Sequence, residues 1–420
     1  MQIHVVQTGD TLWRISQGYG VSIDELIRTN KILNPSQLVV GQTIVIPITG
    51  RYHWVARGET LYSISRLYNI SLNELIRINR ISNPNQIPIG LRLYIPQLPR
   101  TSVDVNAYID PRMTGTASPQ IVNEVGEHLT FLAIFSYAVN RNGTLTPVTD
   151  QPSINSAYGD RVVPLMVLTN FEAGTFSQEL ATTVLTDSNL QDRIMDEKGY
   201  RGLDFDFEYL GRENRERYNA FLRKARTRLK EKGYFISSAL APKLSDEQKG
   251  VLYEGHDYAA HGTIVDFIFF MTYEWGWSGG PPMAVSPINQ VRKVMEYALS
   301  EVPSNKIMMG IPLYGYDWTL PYVPGGRWAK SISPQDAIQL AVRYKQNIQY
   351  DPISQAPFFH YTDENGARHE VWFEDARSIQ AKFNLVKELG LRGFFYWVLG
   401  RDFPQNWLLI EDNFNVNKRV

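Results

Sequence analysis

The sequence predicts an α/β protein in two parts, a closed barrel of eight parallel strands preceded by two small α+β units. Three observations predict it. The first ~97 residues repeat themselves, the signature of a duplicated module. The remaining stretch of about 320 residues holds eight apolar β-rich runs that alternate with helix-like segments. The fourth of those runs alternates acids with large apolar residues in the period of a strand.

Composition bounds the function classes first. The chain has 420 residues, 42 Lys+Arg against 43 Asp+Glu, and a formal net charge of -1. So balanced a charge excludes a dominant attraction to nucleic acid or to anionic lipid. With 43% hydrophobic and 20% charged residues, the chain is too apolar for disorder and long enough for several cores. No Cys is present. Disulfides, thiolate zinc sites, iron–sulfur clusters and cysteine nucleophiles are thereby excluded. The start, MQIHVVQTGD, has no basic region followed by an apolar run, and no stretch has the roughly 18 apolar residues of a membrane span. The expectation is a soluble protein made without a cleavable export signal.

The repeat has an offset of about 49 residues, with roughly half of the aligned positions identical. His4 matches His53, Gly9 matches Gly58, Thr11-Leu12 matches Thr60-Leu61, and Glu25-Leu26-Ile27-Arg28 matches Glu74-Leu75-Ile76-Arg77. Asn30, Asn34-Pro35, Gly41 and Ile46-Pro47 recur as Asn79, Asn83-Pro84, Gly90 and Ile95-Pro96. In each unit a β-type run (HVVQ, HWVA) leads to a turn, and Thr11 or Thr60 stands as N-cap of a first helix. A second helix (SIDELIRTN, SLNELIRIN) and a closing strand (TIVIP, RLYIP) follow, giving the order strand, helix, helix, strand. The units are placed at residues 1–49 and 50–97, with QLPRTS (97–102) as a short linker into a domain at 98–420.

In that domain the β-type runs are VDVNAYI, LTFLAIFSYAV, VVPLMVLTNF, GLDFDFEYL, FISSALAP, VDFIFFMTY, KIMMGIPLYGY and LRGFFYWVL. Helix-like segments such as NRERYNAFLRKARTRLKEKG and SPINQVRKVMEYALSEV lie between them, the latter with Ser286 and Pro287 as cap and first turn. Eight strands alternating with helices argue for a TIM-type barrel. A doubly wound sheet is the alternative, disfavoured because no glycine-rich phosphate loop follows the first strand. Between Asp317 and Glu374, FFHYTD and HEVWFED flank Asn365-Gly366, which predicts a hairpin inserted after strand seven.

Strand periodicity puts Asp204, Asp206 and Glu208 on one face of the fourth strand and Leu203, Phe205 and Phe207 on the other. A file of carboxylates at about 7 Å spacing is costly to ionise together, and that cost points to function. The alternative on alternation alone is a solvent-facing edge strand. The seven His show no ligand spacing that would hold a metal, and neither metal nor cofactor is expected.

Two resemblances carry these motifs further. The repeats, with GDTLWRIS and GETLYSIS, Asn-Pro and the terminal Ile-Pro, resemble the LysM module over residues 3–96, which implies binding to glycans containing N-acetylglucosamine, such as peptidoglycan or chitin. The large domain resembles the family 18 (chitinase-like) glycoside hydrolases, whose fourth strand reads Asp-Gly-x-Asp-x-Asp-x-Glu. Gly202 through Glu208 match it, as do Met271-Thr272-Tyr273, Gly310 to Gly315, and Gly393 to Trp397. That resemblance implies a retaining, substrate-assisted N-acetylglucosaminidase: Glu208 as general acid and base with a pKa raised by the neighbouring acids, Asp206 orienting the acetamido group, Asp204 supporting it, and Tyr273 donating to the acetamido oxygen. Trp397 would floor the sugar site, and Tyr108, Asn170 and Glu274 would be subsite contacts. Three departures stand out. Arg201 replaces the first Asp of the motif, with an expected effect on the support beneath Asp204; Glu274 stands where Asp is usual; and LMVLTNF replaces Ser-x-Gly-Gly.

The combination is similar to the spore-associated branch of the family, the cortical fragment-lytic or germination glycosylases of endospore-forming bacteria. It implies action on spore-cortex peptidoglycan and a location at the spore. The alternatives are an inactive glycan-binding barrel among the spore-coat proteins, a chitinase, or a transglycosylase.

Overall fold

The computed structural model describes residues 1–142, 144–172, 175–186 and 199–420. Both N-terminal units have the expected order. In the first, strands Gln2–Val5 and Thr43–Ile46 pair antiparallel around helices Leu12–Tyr19 and Ile23–Asn30. In the second, Arg51–Trp54 and Arg92–Ile95 pair around Leu61–Leu67 and Leu72–Ile78. The caps are those read from the sequence: the Thr11 and Thr60 hydroxyls accept from the backbone N–H groups of Arg14 and Ser63. His4 and His53 are internal pins, each facing a tyrosine hydroxyl (Tyr19, Tyr68) and a carboxylate (Asp10, Glu59) at 2.8–3.1 Å.

The barrel strands are β1 (Thr101–Ile109), β2 (Phe131–Val139), β3 (Val163–Thr169), β4 (Gly202–Asp206), β5 (Phe235–Leu240), β6 (Phe267–Phe270), β7 (Ile307–Pro312) and β8 (Gly393–Trp397). Each pairs in parallel with the next, and β8 pairs with β1, so the sheet closes. Two apolar cores follow from the period of two. Inward residues such as Phe131, Phe267, Phe269, Met308 and Phe395 fill the barrel, while Leu203, Phe205 and Phe207 pack outward with Tyr218 and Phe221 of helix Arg215–Glu231.

The insertion after β7 is larger than the expected hairpin. Ala356–Thr362 and Arg368–Trp372 do form that hairpin, with Gly366 at φ 82°, but Gly315–Leu320, Lys330–Ile332 and Gln349–Asp351 extend it to five antiparallel strands. Helix Pro334–Arg343 packs on them over a core of its own. Alternation in the added strands is short and broken by turns, so it gave no period to read. A second correction concerns Ser286. Helix Ile288–Glu301 has Pro287 as its cap residue without a side-chain bond, and the Ser286 hydroxyl donates instead to the Thr272 carbonyl just past β6.

The segment 97–102 is no free linker. Thr101 already belongs to β1, Arg100 donates to the Glu411 carbonyl, and Gln97 donates to Asp412. The first unit is itself docked on the barrel. Gln405, on helix Pro404–Asn413, donates to the Asn30 side chain (2.9 Å) and the Thr43 carbonyl (2.7 Å), and accepts from the Thr43 hydroxyl (3.1 Å). Val39 enters the core of the insertion, where Ile348 N–H donates to the Val40 carbonyl at 2.8 Å. Among the described residues no helix is long and apolar enough to cross a membrane.

Candidate active site

The acidic file lies where period two placed it. Asp204 is fully buried inside the barrel, directly opposite Ser237 on β5. It accepts from the Tyr108 hydroxyl at 2.6 Å and the Ser237 hydroxyl at 2.8 Å. Burial pushes its pKa up to about 6 against those two bonds, which favour the charged form. Asp206, one step toward the C-terminal mouth, is also buried, and its Oδ1 has no hydrogen-bond partner among the described residues. Burial, then the nearby Glu208 and Asp204 charges, hold this carboxyl well above the ordinary range. Glu208 follows just past the strand and opens onto a cleft. Burial raises it to about 7, so it keeps its proton near neutrality. Desolvation, the expected effect of neighbouring acids notwithstanding, is what lifts Glu208.

The cleft has a volume of about 800 Å³, in the range of sites for extended small ligands. Asp206, Glu208, Tyr273, Glu274 and Trp397 all line it. Trp397, at the end of β8, meets Phe135 at 4.9 Å and Tyr108 at 5.5 Å in T-shaped contacts and lines the cleft. Tyr273 stands beyond β6 with its ring against Phe395, and burial, followed by the acid charges, raises its pKa, so its hydroxyl remains a donor. Two carboxyl groups of the acidic file, a phenol and an indole therefore line one space at the C-terminal ends of the strands.

The family model "Glycosyl hydrolases family 18" matches residues 166–402, and the LysM domain model matches 4–47 and 53–96. This chain belongs to the family 18 glycosyl hydrolases. Over 431 aligned residues it is 57% identical to the "Cortical fragment-lytic enzyme" of Bacillus subtilis, with 100% of both chains covered. The crystal structure of the Bacillus megaterium spore cortex-lytic enzyme SleL superimposes with a TM-score of 0.92 at 47% identity, covering 100% of this chain and 99% of that one. A chitinase from Chromobacterium violaceum shares the fold, with a TM-score of 0.66 at 24% identity over 74% of this chain.

Within this family 18 hydrolase, two expected subsite residues do other work. Asn170, at the end of β3, is fully buried and clamps the peptide of Glu208: its Nδ2 donates to the Glu208 carbonyl at 2.8 Å, and its Oδ1 accepts from the Glu208 N–H at 2.9 Å. It thus extends the β3–β4 ladder by one side chain and fixes Glu208 beyond the last strand residue. Tyr108 places its ring in the cleft wall, but its hydroxyl is committed to Asp204. Glu274 does reach the cleft. Its Oε1 takes the hydroxyls of Tyr314 and Tyr316, the latter at 2.9 Å, and its backbone has φ 67°, a strained value for a side-chain-bearing residue. Burial raises its pKa.

Arg201 does not lie beneath Asp204. An odd position shares the outward face with Leu203, and Arg201 is exposed just before β4, so among the described residues Tyr108 and Ser237 supply the support. Sequence reasoning missed Ser237, although FISSALAP already carries its signal: small residues at 237, 239 and 241 face inward and make room for the file. It also missed His256, which had none. That buried ring accepts from Ala241 N–H at 3.0 Å and donates to the Phe207 carbonyl at 2.8 Å, pinning the peptide before Glu208; burial lowers its pKa to about 4, so it stays neutral. One trio of ligand-type side chains, Glu127, His128 and Glu411, meets at the opposite end of the barrel, before β2.

Proposed function

We propose that this chain is a retaining N-acetylglucosaminidase of the spore that acts on cortex peptidoglycan or its fragments, held on the polymer by its two LysM units. Similarity over the full chain to the Bacillus subtilis cortical fragment-lytic enzyme and to the Bacillus megaterium spore cortex-lytic enzyme SleL supports the substrate. The observation that carries the chemistry is that Glu208 and Asp206 line one cleft side by side, with the Asp206 Oδ1 buried and unpartnered among the described residues. Units at 1–49 and 50–97, with the barrel at 98–420, are the division that fits this reading.

With the sugar on Trp397, Glu208 gives its proton to the glycosidic oxygen as the C1–O bond breaks, and the acetamido carbonyl oxygen closes on C1. Asp206 accepts the acetamido N–H, and its charge offsets that of the cyclic cation. Tyr273 donates to the acetamido oxygen, and Asp204 shares the proton of the file with Asp206. Glu208, now a carboxylate, takes a proton from the water that reopens the ring at C1. Two displacements at C1 return the original configuration. Proton NMR of the first product tests this: the β-anomer is expected, and release of the α-anomer would overturn it.

The docked first unit changes how binding helps. Because Gln405 and Val39 fix it to the barrel, polymer captured there is held at a set position relative to the cleft, and effective concentration rises without a flexible tether.

A further inference from the structure

Arg112 is the one cation among the described residues lining the cleft; every other charged group there is an acid. Asp110 clamps it by accepting from its backbone N–H, its Nε and its Nη2, all at 2.9 Å. One edge of the guanidinium is thereby fixed, and Nη1 has no hydrogen-bond partner among the described residues. The group lies 5.4 Å from the centroid of Phe135, the ring that also braces Trp397. A half-exposed guanidinium with a free edge thus stands two ring contacts from the sugar floor.

A glycan made only of N-acetylglucosamine carries hydroxyl and acetamido groups and gives a cation nothing to pair with. Peptidoglycan differs in its muramic units, whose lactyl ether ends in a carboxyl group, free or extended by a peptide. We propose that Arg112 forms a carboxylate-binding subsite that reads the lactyl or stem-peptide carboxylate of the muramic unit adjacent to the sugar on Trp397. This subsite rests on the cortex reading given above. The Asp110 clamp favours it twice. It holds the side chain in one rotamer, which lowers the ordering cost of binding, and it uses only the Nε–Nη2 edge, so that Nη1 and the second Nη2 proton are left as donors for a carboxylate. An ion pair with a purely structural role needs neither an unpaired edge nor a place on the cleft wall.

The test uses the full chain and two soluble muramoyl oligosaccharides of equal length, one with free carboxylates and one with the same carboxylates amidated, beside a chitin oligomer. Wild type is expected to prefer the free acid in kcat/KM by about tenfold, the scale of one exposed charge-assisted contact. Arg112→Ala should bring that ratio close to one, and Arg112→Lys should keep part of it; melting curves establish that both variants are folded. A wild-type ratio of one, or a ratio that survives in Arg112→Ala, overturns the subsite while leaving the cortex reading standing. If wild type cuts the chitin oligomer and neither muramoyl substrate, the cortex reading fails and the subsite falls with it.

Discussion

Two buried polar clusters in this molecule behave in opposite ways. At the seam between the first LysM unit and the barrel, Gln405, Asn30 and Thr43 satisfy one another: both ends of the Gln405 amide are bonded, and Asn30 also bonds the Leu26 and Val45 backbone. In the acidic file, among the described residues, Asp206 keeps an unpaired buried oxygen and the Glu208 carboxyl has no hydrogen-bond partner, while all three acids are raised above their ordinary range. A satisfied cluster is inert and stabilising; an unsatisfied one stores a desolvation cost that substrate can relieve. The same low-dielectric surroundings build a joint in one place and reactive groups in the other.

The largest effect expected from breaking the file is on rate. Glu208→Gln should lower turnover on soluble fragments by about 100-fold or more, because general-acid transfer is lost while the clamp from Asn170 remains. Asn170→Ala should also cut kcat, by about tenfold, since the Glu208 peptide loses both bonds; an effect confined to KM would restore Asn170 as a simple sugar contact.

The pH profile sharpens the contrast. Glu208 must enter the reaction protonated, so kcat/KM should fall as pH rises through about 7. Linkage gives the matching sign for stability. A carboxyl whose folded pKa is raised binds its proton more tightly in the native state, so its contribution is present below the unfolded value near 4 and is lost as pH rises through about 7. Glu208→Gln should accordingly melt about 2 to 4 °C higher than wild type at pH 8, with the gap closing by pH 4. A variant that melts lower at pH 8 would mean that the carboxylate is satisfied after all.

The seam should respond the other way round. Gln405→Ala leaves Asn30 and Thr43 short of partners and should cost about 1 to 3 kcal/mol in denaturant unfolding, with kcat on soluble fragments kept. The second unit is the internal control. Its Asn79 makes the equivalent bonds to Leu75 and Tyr94 alone, and its Gly90 has open space where Gly41 meets the Ile348 carbonyl, although both glycines have φ above 80°. The smallest effect belongs to Lys31→Ala. Its bridge to Asp402 is exposed on both sides, so a loss of less than about 0.5 kcal/mol is expected.

Most of this contrast was legible in the sequence on one side only. The file could be read because its members sit two residues apart on one strand, and the repeats because their caps, turns and helices recur together. The seam could not be read, since Asn30 and Gln405 are 375 residues apart and neither belongs to a periodic pattern that predicts the other. Asn170 and His256 were hidden for the same reason. They act on backbone groups of a neighbouring strand, so what matters is where β3 ends and how the chain after β5 returns, which no local spacing encodes.

The most direct measurement is mass spectrometry of the products released from purified spore cortex and from chitin oligomers by wild type and Glu208→Gln in parallel. Fragments with N-acetylglucosamine at the reducing end, released from cortex by wild type alone, are the predicted result. Binding of the polymer by both proteins with no bond cut by either would contradict it, and the unsatisfied acids of β4 would then serve a glycan-binding barrel.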